Sequence, residues 1–359
     1  MFKTLILFVL FSSSLLAVEL ADNIRLQGFL TVDATGTTAE SLGTSLPNGD
    51  REILTEGDVS FNHSVFGLQL EIDSTDDLSL AVQGVYTKDA ESDSFKPQLE
   101  WAYVGYDFGH DFSGKIGRMK VPFLKGIELR YVGYSRLWTR AQIPSSGVNG
   151  FDEYDGVDLF YNSAVGEVNL EFELSGGVAN HQLDIISDNY LVLAAAQIDI
   201  DESWLRITAG YNNFDIIDSN TPSSDNPMYI ASVETELKRW DWIINAGYTY
   251  TQTDAIPSAG ITYGSLAYHF EPLTPYVLYS RRTLDIPDRP APPPGAPPPP
   301  NLEAITLEQH HAIGLRYDVI TNVDIKLQYD YQTFDSSENP SAVKTPEADL
   351  FTIAVDWVF

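Results

Sequence analysis

Two stretches near the end of the chain constrain the fold most. In NVDIKLQYDYQTF (322–334), Val323, Ile325, Leu327, Tyr329 and Tyr331 alternate with Asp324, Lys326, Gln328, Asp330 and Gln332. In DLFTIAVDWVF (349–359), Phe351, Ile353, Val355, Trp357 and Phe359 share one side. A repeat of two, with aromatic and β-branched residues on one side, is the pattern of a strand with two unlike faces. The same alternation recurs in EVNLEFEL (167–174), WLRITAGYN (204–212) and DWIINAGYTY (241–250). It predicts sixteen strands, at about 24–34, 57–73, 76–87, 98–107, 113–121, 153–162, 166–176, 189–200, 203–213, 227–238, 241–252, 260–270, 273–283, 309–319, 322–334 and 348–359. The second strand changes its apolar phase between Phe61 and Phe66, which predicts a bulge.

The links between these strands alternate in length. Seven are short, such as GHDF, SAV, ES and RW. Eight are long, at about 35–56, 88–97, 122–152, 177–188, 214–226, 253–259, 284–308 and 335–347. A soluble sandwich has no reason to collect its long loops at one end, whereas a membrane-spanning barrel has short turns on one side and long loops on the other. Tilted strands of about ten residues match the hydrocarbon thickness, and closure leaves no unpaired edge in lipid. The predicted fold is all-β: a 16-stranded antiparallel transmembrane β-barrel over residues 18–359.

Residues 1–17 read as a secretory signal, with Lys3 before a short apolar run and Ala17 at the cleavage point. The chain contains no cysteine, so disulfides, thiolate metal sites and a Cys nucleophile are excluded. Its formal net charge is -30, which would repel a nucleic acid. Against that background the segment KIGRMKVPFLKGIELRYVGYSRLWTR (115–140) carries seven Lys or Arg and one acid. It covers the fifth strand and much of the third long link, 122–152. Alternation predicts Gly117, Met119 and Val121 toward lipid, with Arg118 and Lys120 toward the lumen.

WAYVGYDF, KIGRMKVPF, VGYSRLW and YDGVDLFY, spread over about 99–161, resemble the Gram-negative porin family of gammaproteobacteria. The resemblance implies that the third long loop folds into the pore. It implies a constriction formed by Arg118, Lys120, Lys125, Arg130, Arg136 and Arg140, with Tyr131, Tyr134 and Trp138 beside them. The alternative for each basic residue is pairing with Glu128, Asp152, Glu153 or Asp155, which would pin the loop to the wall. The resemblance also implies a homotrimer in the outer membrane of a Gram-negative bacterium. The aromatic last strand, ending at Phe359, resembles the signal read by outer-membrane assembly machinery. Lipid and lipopolysaccharide would surround the barrel.

The alternation places Arg25, Glu171, Glu173, Arg206, Glu234, Arg316 and Lys326 on the lumen wall, where water would leave them no need of partners. Nine of the twenty prolines fall in 287–300, inside the long link 284–308, which reads as a stiff polyproline spacer. The acidic loop stretches (DSNTPSSDN, KDAESDS, FDSSENP) read as solvated charge, with divalent-cation binding as the alternative. His310 and His311 are adjacent and so point to opposite faces, which disfavours a metal site. No G-x-S-x-G, Walker-type or H-E-x-x-H motif is present, so neither an enzyme nor a cofactor is expected. The expected function is passive diffusion of small hydrophilic solutes, with a specific channel for phosphate or an anionic sugar as the alternative.

Overall fold

A backbone that crosses hydrocarbon must satisfy every N–H and C=O within the protein, and here the hydrogen-bond ladder closes on itself. The computed structural model describes residues 18–40, 42–45, 51–89, 94–139, 151–181, 186–217, 222–253, 258–285, 305–334 and 347–359. The predicted signal (1–17), Arg140 and the proline-rich stretch 287–300 lie outside the described residues. Sixteen strands form the wall. The first five are β1 (Ile24–Thr37), β2 (Val65–Asp73), β3 (Leu78–Asp89), β4 (Ser94–Gly109) and β5 (Phe112–Lys120). Then follow β6 (Phe151–Val165), β7 (Val168–His181), β8 (Ile186–Ile200), β9 (Ser203–Ile216), β10 (Ser223–Arg239) and β11 (Trp242–Thr253). The last are β12 (Ser258–Tyr268), β13 (Leu273–Asp285), β14 (Ile305–Ile320), β15 (Val323–Phe334) and β16 (Glu347–Val358). Each pairs antiparallel with its neighbours in sequence, and β1 closes the ring by pairing with both β2 (Leu30 with Phe66) and β16 (Val32 with Val355).

The predicted bulge in the second strand is a break. Val59–Ser60 pair with Gly36 and Thr35, and Val65 pairs with Thr31, so four residues lie opposite three. The extra residue restores the phase, leaving Phe61 and Phe66 both outward and exposed. Several strands run farther at the long-loop end than hydropathy predicts. β3 continues to Asp89, β7 to His181 and β12 begins at Ser258, each inside a predicted long link. Above the apolar band both faces meet water, so alternation fades from the sequence while pairing continues. At the other rim, His110–Asp111 and Trp240–Asp241 have positive φ throughout (56° and 68°, 51° and 65°), the form that suits two-residue hairpins.

Burial is inverted relative to a soluble protein. Leu80, Val82, Leu159, Leu205, Ile207 and Ile313 are exposed on the outer face, whereas Thr31, Asp33, Gln83, Glu173, Lys326 and Asp356 are buried inside. Aromatic pairs border the outer apolar band. Phe112–Tyr161 (4.6 Å), Trp242–Tyr268 (4.9 Å) and Trp357–Phe359 (4.5 Å) lie toward the short-turn rim. Tyr190–Tyr211 (5.7 Å), Tyr211–Tyr229 (5.5 Å) and Tyr329–Phe351 (5.1 Å) lie toward the other. Two aromatic girdles around an apolar band are what the two membrane interfaces select.

Gly117 in β5 has φ 146°, and a Cβ there would sit 2.3 Å from the Ala102 carbonyl oxygen. Gly117→Ala therefore combines a disfavoured backbone with a clash against a neighbouring strand, and should cost about 3 kcal/mol. The measurement is the denaturant midpoint of the folded barrel, and an unchanged midpoint would contradict the positive φ.

Candidate functional site

The charged segment that stands out in the sequence ends β5 and then turns into the lumen. Met119, Val121 and Phe123 pack with Tyr154, Leu191, Leu193, Phe214, Met228 and Ile230, an apolar cluster inside the barrel. This cluster fixes the phase of β5 and corrects the sequence reading. Met119 and Val121 face inward, while Arg118 shares the outer face with Ile116, which is 59% exposed. Arg118 is therefore no lumen residue. It meets Asp155 of β6 on the outer face, Nε to Oδ1 and Nη2 to Oδ2 both at 2.9 Å.

From Pro122 the loop is held by wall side chains that reach its main chain. Arg206 Nη2 donates to the Pro122 carbonyl (3.2 Å), and Ser232 Oγ to that of Phe123 (2.7 Å). The Lys125 N–H donates to Glu234 Oε2 at 2.7 Å. The Lys125 ammonium lies 4.3 Å from the Trp204 ring and 3.5 Å from Asp199. Two short 3-10 turns follow, Ile127–Leu129 and Gly133–Ser135.

Between those turns Tyr131 is 1% exposed and packs against Phe29, Val65 and Val85. Burial pushes its phenol well above the usual value, opposed by the Arg130 guanidinium stacked at 4.6 Å. Arg130 also reaches Glu100 (3.4 Å), which Lys120 contacts at 2.8 Å.

The second turn docks on β14–β16. Lys326 Nζ donates to the Gly133 carbonyl at 2.6 Å and to Asp356 at 2.7 Å. Arg316 donates to the Tyr134 carbonyl (2.7 Å), stacks over the Tyr134 ring (4.5 Å) and pairs with Asp318 (2.9 Å) and Asp324 (3.1 Å). The Thr139 N–H ends the described part of the loop on Gln328 Oε1 at 3.0 Å.

Of the residues predicted on the lumen wall, Glu173, Arg206, Glu234 and Lys326 are buried, and the expectation that such residues need no partners does not hold. Arg25 pairs with Glu71 (3.1 Å) and Asp73 (2.5 Å), and Arg206 with Glu171 (3.5 Å) and Glu173 (2.5 Å). For Arg206 the reason is coverage: the inserted loop takes water away from it, and a desolvated ion must be paired. Within the loop, Lys125 pairs with the wall carboxylate of Asp199 and Arg130 with that of Glu100.

Spaces lie beside the described part of the loop. One, about 310 Å³, lies against β4–β9 and is lined by Lys115, Lys120, Lys125, Glu128, Asp158 and Glu171 among others. The second, about 290 Å³, lies against β9–β12 and includes Arg136, Trp138, Trp204, Glu234, Glu236 and Tyr263. Sequence reasoning passed over Lys115. Its ammonium lies 4.8 Å from the Tyr103 ring and 5.1 Å from the Phe160 ring, with no carboxylate at ion-pair distance among the described residues. The outward Ile116 beside it was the signal available.

A Cβ on Gly133 would fall 1.8 Å from Asp356 Oδ1 and 2.6 Å from Thr31 Oγ1. Gly133→Val should therefore lift this part of the loop from a wall that stays folded, seen as faster proteolysis within 122–139. Lys326→Met should be more severe, about 3–5 kcal/mol in barrel stability, because it strands the buried Asp356 without its cation. Equal stability of the wild type and Lys326→Met would show that the lysine is not an anchor.

No protein-family model matches the sequence, and no curated protein matches it. Solved structures do match in shape. OmpF of Salmonella typhi, in complex with daunomycin, aligns with 96% of this chain and 100% of its own at TM-score 0.60 and 16% identity. The outer membrane channel DcaP of Acinetobacter baumannii aligns with 94% and 97%, at TM-score 0.60 and 13% identity. In-vitro folded OmpT of Vibrio cholerae, an outer membrane protein in a trimer form, aligns with 94% and 99%, at TM-score 0.54 and 11% identity. At these identities the likeness establishes the fold: the chain is a porin-type, 16-stranded transmembrane barrel.

Proposed function

We propose that the protein is an outer-membrane porin of a Gram-negative bacterium, a non-enzymatic channel for passive diffusion of small hydrophilic solutes and ions. The observation that carries this reading is a polar, charged lumen narrowed by a loop bonded to the wall on several sides. Solutes would pass through the spaces flanking the loop. The likeness to the channel DcaP and to a trimeric OmpT supports the channel and a homotrimer. Export by the signal at 1–17, insertion through the strand ending at Phe359, and a lipopolysaccharide surround belong to the same reading.

Local charge decides selectivity more than the formal net charge of -30. Charges at the mouths are screened beyond about 3 Å in 1 M salt, while those in the narrow section are screened less. Lys125 and Arg130 of the loop and Lys120 beside it are paired with carboxylates, so selectivity should be close to neutral at high salt. The alternative of an anion held over Tyr131, Tyr134 and Trp138 is weakened, because Tyr131 is buried and Arg316 covers Tyr134.

Purified protein in planar bilayers should give stepwise conductance nearly linear in salt concentration. A folded, heat-modifiable barrel without any conductance would overturn the reading. Lys115→Gln should move the reversal potential toward cations, whereas Arg118→Gln, on the outer face, should leave it unchanged. The opposite ranking would reverse the assignment of the two faces.

A further inference from the structure

The outer face of β5 and β6 carries an ion pair where lipid calls for apolar side chains. Arg118 and Asp155 lie opposite each other in the register of the two strands, joined by two hydrogen bonds of 2.9 Å. Their surroundings on this face are exposed and apolar. Ile116 and Val157 are the next outward residues toward the short turns, and Val178 of β7 stands opposite Asp155.

The depth of the pair follows from the register. Arg118 pairs with Ala102 of β4, which lies six residues from Phe108 and seven from Phe95. Those two rings belong to the aromatic pairs Tyr106–Phe108 (5.1 Å) and Tyr86–Phe95 (5.8 Å), at opposite ends of β3 and β4. The ions therefore sit about midway across an apolar band of roughly 25 Å. At that depth the Arg118 side chain is too short to lift its charge into either headgroup layer.

Hydrocarbon offers nothing to a guanidinium or a carboxylate, and a charge on the lipid face costs most at mid-depth. The bonds to Asp155 use Nε and Nη2 of Arg118 and leave Nη1 without an acceptor among the described residues. A protein surface laid over the pair removes it from lipid and can supply that acceptor. Every copy of the chain carries the same pair. A closed ring, in which each copy turns this face to its neighbour, covers all of them without a second component.

We propose that the face centred on Arg118 and Asp155, bordered by Ile116, Val157 and Val178, is a contact between copies of this chain and not a lipid-facing surface. The proposal rests on the homotrimer reading and assigns a face to it.

The test is photo-crosslinking of the full-length protein in outer membranes, with benzoylphenylalanine at Ile116, at Val178 or at Ile313. Ile313 is exposed on β14, eight strands round the barrel from β6. Ile116 and Val178 should give covalent dimers on denaturing gels, with mass spectrometry finding this same chain on both sides of the link, and Ile313 should give none. Absence of dimers from both Ile116 and Val178 would overturn the face, as would a link from Ile116 to a different protein. The mass of the native particle in detergent separates the two readings. A trimer without those links loses the face and keeps the homotrimer, whereas a monomer loses both.

Val157→Trp gives a second readout. A tryptophan is tolerated against lipid but obstructs a packed contact. Val157→Trp should therefore lower the temperature at which the oligomer separates into folded, heat-modifiable monomers, and Ile313→Trp should leave it unchanged. Equal separation temperatures for the wild type and Val157→Trp would place Val157 in lipid.

Discussion

Hydrogen bonding of the backbone in a solvent that offers no partners is the condition from which this molecule follows. A strand edge left open in hydrocarbon costs several kcal/mol per orphaned group. The pairing of β1 with both β2 and β16 removes that edge, and the wall becomes a cylinder whose inside differs from its outside. The alternating sequence is then a consequence of two solvents, lipid outside and polar lumen inside, rather than of core against surface. This is why Asp356 can lie buried between Val355 and Trp357 in the final strand.

The second condition is electrostatic, and the loop imposes it. A loop placed in the lumen covers wall charges that water would otherwise solvate. Each covered ion needs a counter-ion, so Lys326, Arg316 and Arg206 reach both a carboxylate and a main-chain carbonyl of the loop. Buried pairs of this kind contribute little net stability, and their value lies in specifying one geometry. For a channel, one geometry is what matters: the width of the remaining space is set by where the loop rests.

Much of this was legible in the sequence, and the failures are physical. Period two gave every wall strand, because each has one face in lipid. It failed near the long-loop rim, where both faces are wet, and there the strands run on unannounced. It failed at β5, where Met119 and Val121 look lipid-facing but belong with Phe123 in an internal apolar cluster. Hydrophobicity alone does not tell lipid from a dry interior. Ile116, however, lay in phase with Arg118 and could have turned that arginine outward. Basic residues of the loop were recognisable, but their partners were not. Glu100 lies 30 residues from Arg130 and Asp199 lies 74 from Lys125, and an ion pair between distant segments leaves no periodic trace.

The anchors of the loop also order events in time. Its main chain follows β5, yet Gly133 is held by Lys326, 193 residues later, with Arg316 and Asp356 beside it. Contacts of such sequence separation form late, because the chain between must be ordered first. The first ten strands can hold the loop's opening residues through Arg206, Ser232 and Glu234, but its second turn has nothing to dock on until β14–β16 arrive. A growing barrel therefore carries a half-attached loop, and the passage acquires its final bore only when the last strands seat beside the first.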